Sequence, residues 1–448
     1  MSFEVNLDSG ILLASFNESL KQIKMRKIYI IVIGLILINI SAFSQIQVEQ
    51  VLIGNGGIFG NDSDHVNITS INPTDQTSTF LGEVIRESIQ DLIIEGNYAY
   101  VAAEDSIAKF NILTGAKEAI IYESNLSRLY FANNQLFVSR RSDLNGAPSD
   151  GIYLKAFDAN LNLLHSANGI STDAAGIILV DDSIYVAVSG DWQATEGKLA
   201  VISADFSYSR EMNLGTDAVG IIDLFADGET IYTVNKSPWG ATSGSISIYS
   251  TISSTWTTNI INNVVGKGVE RVGNTLYLGL DNGIGSYDLE NSIVINSQIV
   301  PDPGSASYIA IAATAFDVIN ELFYVTITDY FSFGEGKIYD LNGNQTASFD
   351  AGVSAEAMAI HYEDHTAINE LEQALVSVYP NPCNNFVNIK STEDIQSITV
   401  YNEMGQLLLS LLEPHQKESI NIADFNAGFY FIKIKTNTSF TVKKVLKQ

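Results

Sequence analysis

A single cysteine, Cys383, occurs in 448 residues. One thiol can form neither an intrachain disulfide nor a cysteine-based zinc site, so an exported chain of this kind rests on its hydrophobic core. Basic residues are also scarce: 24 Lys and Arg stand against 51 Asp and Glu, for a formal net charge of −27. The deficit is local. Residues 45–365 carry 13 Lys and Arg against 40 Asp and Glu, whereas residues 366–448 carry 7 against 8. So acidic a body excludes nucleic acid as a partner, because phosphate backbones are held by Lys and Arg. Its carboxylates read first as a solubilising surface. Signatures of catalysis are missing as well. The sequence has no HExxH, GxSxG, P-loop or CxxC. The histidines (His65, His165, His361, His365, His415) are scattered along the chain. GNGGIFG at 54–60 lies between two strand patterns and opens no helix. NDSDHVN at 61–67 lacks the spacing and terminal Glu of an EF-hand loop. No catalytic residue, metal site or cofactor is expected.

No apolar stretch near the N-terminus is long enough to span a bilayer. The run Ile28–Ile40 has 13 residues, against the ~20 that a helix needs. It follows a basic start (Lys24, Arg26, Lys27) and precedes Ala42-Phe43-Ser44. That order predicts a signal peptide over 25–44, with Met25 as the expected start and 1–24 as an expected non-native extension outside the fold. No cysteine follows the run, so the signal is not of the lipoprotein type.

What is present is a repeat. An apolar strand, a tight Gly/Asn/Asp turn and a strand with an early aromatic recur at 91–102, 129–139, 177–188, 223–234, 269–279 and 315–326. The turns begin at Gly96, Asn133, Asp181, Asp227, Gly273 and Ile319, and all but the first interval are 46 to 48 residues. The aromatics are Tyr100, Phe137, Tyr185, Tyr232, Tyr277 and Phe323. A third strand and a more polar fourth follow in each unit, which is the pattern of a propeller blade. Six full units fill about 90–352. The fragment 47–82 has second, third and fourth strands but no first, and 354–362 is a first strand alone. The expected fold is all-β: a seven-bladed β-propeller over 45–365, closed by a blade shared between its ends. A linker at 366–375 and a small β-sandwich at 376–448 follow it.

The loops between second and third strands are unequal. Those at 54–64, 140–150, 189–197, 235–244 and 328–336 are long, and propeller loops of this kind open on the face of the blade-to-blade connections. They carry Phe59, Arg140, Arg141, Trp192, Trp239, Tyr330, Phe331 and Phe333. The same rings could cap the blade ends as a lid. Grouped on one face of a rigid scaffold, they are the expected ligand-binding residues.

The tail carries more specific motifs. VYPNP at 378–382, SITVYNEMGQLLL at 397–409, Phe425-Asn426-Ala427-Gly428-Phe429-Tyr430 and KKVLK at 443–447 resemble the type A C-terminal sorting domain of the type IX secretion system of Bacteroidota. The resemblance covers 376–448 and implies the type IX machinery as a partner, export across the outer membrane, and surface attachment or release. Phe425 stands where that family usually has Leu, and Phe429 separates Gly428 from Tyr430. The stretches 51–73, 88–111 and 322–360 resemble the YncE-like/DUF5074 propellers of Bacteroidota, among which are surface corrinoid-binding proteins. That resemblance implies a monomeric, non-enzymatic propeller that captures a small-molecule nutrient such as a corrinoid for a TonB-dependent transporter. Those binders are typically lipoproteins, whereas this chain carries a sorting domain. A secreted propeller lyase or hydrolase and a structural or adhesive surface protein stand as alternatives.

Overall fold

The computed structural model describes residues 46–448 apart from 59, 62, 192, 365–375, 392–393, 403–406, 413, 424, 427 and 437–439. The expected signal peptide, the 1–24 extension and the linker lie outside the described residues. Among these residues the only helices are two single 3-10 turns, Thr216–Ala218 and Ser305–Ser307; everything else regular is strand.

Seven four-stranded sheets occupy the first compact unit, Val48–Glu363. Six are sequential meanders that begin with the inner strands Ile89–Glu95, Leu126–Ala132, Ala174–Val180, Ile221–Asp227, Val265–Val272 and Ala310–Asp317. The remaining sheet joins Ala355–Asp364 to Ile46–Asn55, Val66–Ile71 and Ser78–Val84, in that order. Its first strand therefore comes from some 300 residues downstream of the others.

Sequence alternation explains how the sheets stack. In Ser183–Val188 the side chains point alternately to opposite faces. Ile184 and Val186 enter a core shared with the sheet before, while Tyr185 and Ala187 enter one shared with the sheet after. Both faces are dry, so both sets of positions are apolar. Each sheet is tied to its successor by such a core, and the last of these joins Tyr324, Ile338 and Phe349 to Val51 and Ile53 of Ile46–Asn55 and to Ala355 of its distant partner strand. Fourth strands such as Lys117–Tyr122 are mostly exposed, as their polar composition requires. The tight turns adopt positive φ at Gly96, Asn133, Gly228 and Gly273, where Gly and Asn carry the least strain.

The repeated aromatic is the third residue of each second strand: Tyr100, Phe137, Tyr185, Tyr232 and Tyr277. In the sixth unit that position belongs to Tyr324, one residue after the expected Phe323. A four-residue turn at 318–321 replaces the usual two. One residue of slip reverses the face, so Phe323 packs on the preceding sheet and Tyr324 on the following one.

Inner strands approach one another closely where side chains are small. A Cβ on Gly176 would lie 2.8 Å from the Ile222 carbonyl oxygen and 2.9 Å from the Asp223 Cα, both fixed backbone. Gly176→Val is expected to lower stability by about 1–3 kcal/mol through overpacking, measured by urea unfolding of the purified variant.

The residues from Val376 onward form seven strands in two sheets, one of three strands and one of four. Val387, Ile389 and Ile420 from one sheet and Ile398, Val400, Ile432 and Ile434 from the other share a core. This is the small sandwich that the strand pattern predicts. Cys383 is buried in that core, and burial raises its thiol pKa, so it is poorly reactive.

Candidate functional site

The site is built by a defect that recurs in the inner strands. All six sequential meanders break register just after the inner strand begins: between Ile89 and Asp91, Leu126 and Leu129, Ala174 and Ile177, Ile221 and Asp223, Val265 and Gly268, and Ile311 and Ala313. A bulge re-aims the side chains beside it. Here these residues line a cavity of about 550 Å³ together with a smaller one of about 280 Å³. Both are walled by Arg128, Lys236, Lys267 and Glu356, so the two cavities adjoin; we call them together the channel.

Charge in the channel is unevenly committed. Arg128 lies 3.8 Å from Asp91 and 4.0 Å from Asp223, with Gly176 on the strand between. Burial works against its charge, but the two carboxylates outweigh burial and raise its pKa. Those carboxylates are occupied in turn: Asp91 accepts from the Leu92 and Leu129 N–H groups, and Asp223 from Gly268 N–H at 2.8 Å. Asp173 accepts from the Ser142 N–H and hydroxyl.

The remaining cations are not so held. Among the described residues, Arg141, Lys236 and Lys267 make neither a close ion pair nor a side-chain hydrogen bond, and all three are solvent-accessible. The positive charge of Arg128, and then burial, push the Lys267 ammonium down to about 8; Asp223, Asp91 and Glu356 oppose this. Burial raises the Glu356 pKa against the influence of Lys267 and Arg141.

The expected site residues divide. Phe59 and Trp192 lie outside the described residues. Trp239, Phe331 and Phe333 are strongly exposed, at 86%, 76% and 84%. Phe333 begins the strand Phe333–Asp340, and Tyr330 reaches the channel wall. Burial raises the phenol pKa of Tyr330. Arg141 lines the smaller cavity. Arg140 does not face a ligand surface: its side chain is only 3% exposed and is fully bonded to Glu123, Asp150, Ser124 and Ile152. Tyr308 was not anticipated. It is 87% exposed on the connection before the sixth inner strand, with left-handed φ of 62°.

The channel charges were missed too. In the structure Asp91, Arg128 and Asp223 each stand five residues before the first turn residue of their unit (Gly96, Asn133, Gly228), a register hidden in the sequence because the pattern there starts the fourth turn at Asp227.

Residues 377–448 match the family described as the secretion system C-terminal sorting domain. This part of the chain is such a domain. It addresses the protein to the type IX secretion machinery and so to the cell surface. No curated protein matches the chain. Among solved structures, a quinonprotein alcohol dehydrogenase-like protein from Bacteroides thetaiotaomicron is similar at a TM-score of 0.51 and 15% identity, over 70% of this chain and 78% of that one. That likeness is one of fold: an all-β, propeller-like body of four-stranded antiparallel sheets. The extracellular domain of a candidate one component system from B. thetaiotaomicron is similar at a TM-score of 0.46 and 10% identity, covering 89% of this chain. The chain spans 57% of the length of that structure.

Proposed function

We propose that the protein is a surface-displayed binding module: a closed seven-bladed propeller over 45–365 whose ligand enters the central channel from the face of the long loops. The chain of shared cores, running from sheet to sheet and back to the first, supports closure. The observation that carries the binding reading is the larger of the two adjoining cavities. It is lined by the bulged inner strands and by Lys236, Asn282 and Tyr330 from loops between second and third strands. Its 550 Å³ is the size of a small-molecule site. The exposed rings of Trp239, Phe331 and Phe333 belong to the same set of loops and form a rim for a bulky ligand.

Under this reading a corrinoid enters the mouth of the channel with its edges held by the rim, and a TonB-dependent transporter takes it onward. Calorimetric titration of the protein with cobalamin and cobinamide tests it. Saturable one-to-one binding is expected, lost in Trp239→Ala with Phe331→Ala while the melting temperature stays unchanged. Equal affinity in that folded variant would remove the rim, and no heat with either compound would remove corrinoids as ligands.

A further inference from the structure

We propose that the channel binds a small organic anion, with a carboxylate or phosphate head at Lys267, Lys236 and Arg141 and an apolar body beside the aliphatic residues of the larger cavity. This rests on the reading of the channel as a binding site and names the chemistry of its ligand.

The argument begins with the use of scarce cations. Between residues 45 and 365 there are 13 Lys and Arg against 40 Asp and Glu. In such a body a basic side chain finds a carboxylate readily, and most do: Arg86, Lys109, Arg128, Arg140, Lys155, Lys198, Arg271 and Lys337 all form ion pairs. The channel breaks this rule. Three of the cations left without a close carboxylate line it, while Asp91, Asp173 and Asp223 beside them are bonded to backbone N–H groups, a hydroxyl or Arg128, which leaves Glu356 as the carboxylate nearest these cations. The wall thus offers unused donors and few unused acceptors. Its complement is a ligand rich in acceptors and negative in charge.

Placement of like charges costs stability unless something else is gained. Lys267 sits near Arg128, whose charge makes the ammonium harder to hold. An anion between Lys267 and Lys236 relieves that repulsion and satisfies both ammonium groups. The larger cavity is also lined by the apolar residues Ile177, Ile284, Ile311 and Met358. Inorganic phosphate alone makes no contact with these aliphatic groups, so an anion with an attached hydrocarbon fits better.

The test is calorimetric titration of the whole protein with hexanoate, hexyl phosphate, inorganic phosphate and hexanol. One or both hexyl anions bind saturably and more tightly than phosphate or hexanol, and the preferred one identifies the head group. Lys267→Met with Lys236→Met weakens that binding roughly tenfold or more without lowering the melting temperature, and Lys267→Arg restores it in the Lys236 wild-type background. Affinity also falls as the pH rises through about 8, where Lys267 loses its proton. The charged groups facing Lys267 are Arg128, Asp223, Asp91 and Glu356, each on a different inner strand. Hexanol binding as well as the anions, with no effect of the double variant, would overturn the anionic proposal while leaving a binding channel. Failure of all four probes together with both corrinoids would overturn the binding reading itself.

Discussion

A chain ending at Val353 loses the cooperative melting transition that a chain ending at His365 retains. The difference is the strand Ala355–Asp364, which is the first strand of the sheet otherwise built from residues 46–84. Its side chains enter two cores at once. Ala357 packs with Leu52, Val66 and Leu92 on one side, and Ala355, Met358 and Ile360 pack with Val51, Tyr324 and Phe349 on the other. Removing it uncovers several fully buried aliphatic side chains, each worth about 1.5–3 kcal/mol. It also leaves one ladder of Ile46–Asn55 without its partner. The sum is comparable to the whole stability of a domain, about 5–15 kcal/mol. Differential scanning calorimetry of the two truncations decides the matter. Identical transitions would mean that the shared sheet contributes nothing to closure.

Arg140→Ala lowers the stability of the protein by about 3–5 kcal/mol, a larger effect than any rim substitution. The guanidinium lies 3.0 Å from Glu123 and 2.6 Å from Asp150, and it donates to the carbonyls of Ser124 and Ile152. Lys155 completes the network at 2.9 Å from Glu123 and 3.0 Å from Asp150. Taking Arg140 away strands a buried Glu123 carboxylate beside one remaining cation, and an uncompensated buried charge is the costly outcome. Glu123→Gln added to Arg140→Ala recovers part of the loss, because coupled partners are not additive.

The same network fixes a pH dependence. Burial works against the Asp150 charge, but hydrogen bonds from Arg140, the Ile152 N–H and Lys155 outweigh it and lower the carboxyl from 3.8 to about 2. A depressed carboxyl contributes stability that is complete above its unfolded value and lost as pH falls through the folded one. The wild type therefore loses this contribution between about pH 4 and pH 2, and Arg140→Ala flattens that part of the curve. Urea midpoints across the window measure both. An undiminished acid slope in the variant would assign it to other carboxylates.

The legible parts of this molecule were those written in local pattern. Period-2 runs bounded by Gly96, Asn133 or Gly273 carry strand and turn within a dozen residues, so the four-strand unit could be read directly. The sandwich was legible for the same reason, its core positions alternating through Ile398, Val400, Ile432 and Ile434. The sixth aromatic was misplaced because a longer turn shifts parity by one residue, which spacing alone does not reveal. The arginine pair at 140–141 looked equivalent in sequence, yet Arg140 ends a strand and folds into an ion network while Arg141 begins the loop. What divides them is a partner set drawn from Glu123, Asp150 and Lys155.

The channel was the least legible feature. Asp91, Arg128, Asp223, Lys267 and Glu356 are spread over more than 260 residues of sequence and meet only when the sheets stand side by side. The first four also stand where a simple alternation gives little guidance, since a bulge in the sequential inner strands resets which face a residue takes. Charges at these places read as solvated surface until the cavity joins them. The exposed rings were easier to find, because aromatics among turn residues break a local rule.

The central claim is that the channel, rather than the outer surface, receives the ligand. Lysine acylation of the intact protein at pH 8, mapped by mass spectrometry with and without saturating hexyl phosphate, tests it most directly. The account predicts that Lys267 and Lys236 are protected while the exposed Lys117 on an outer strand reacts as before. Unchanged modification of Lys267 and Lys236 under conditions where calorimetry records saturable binding would contradict it.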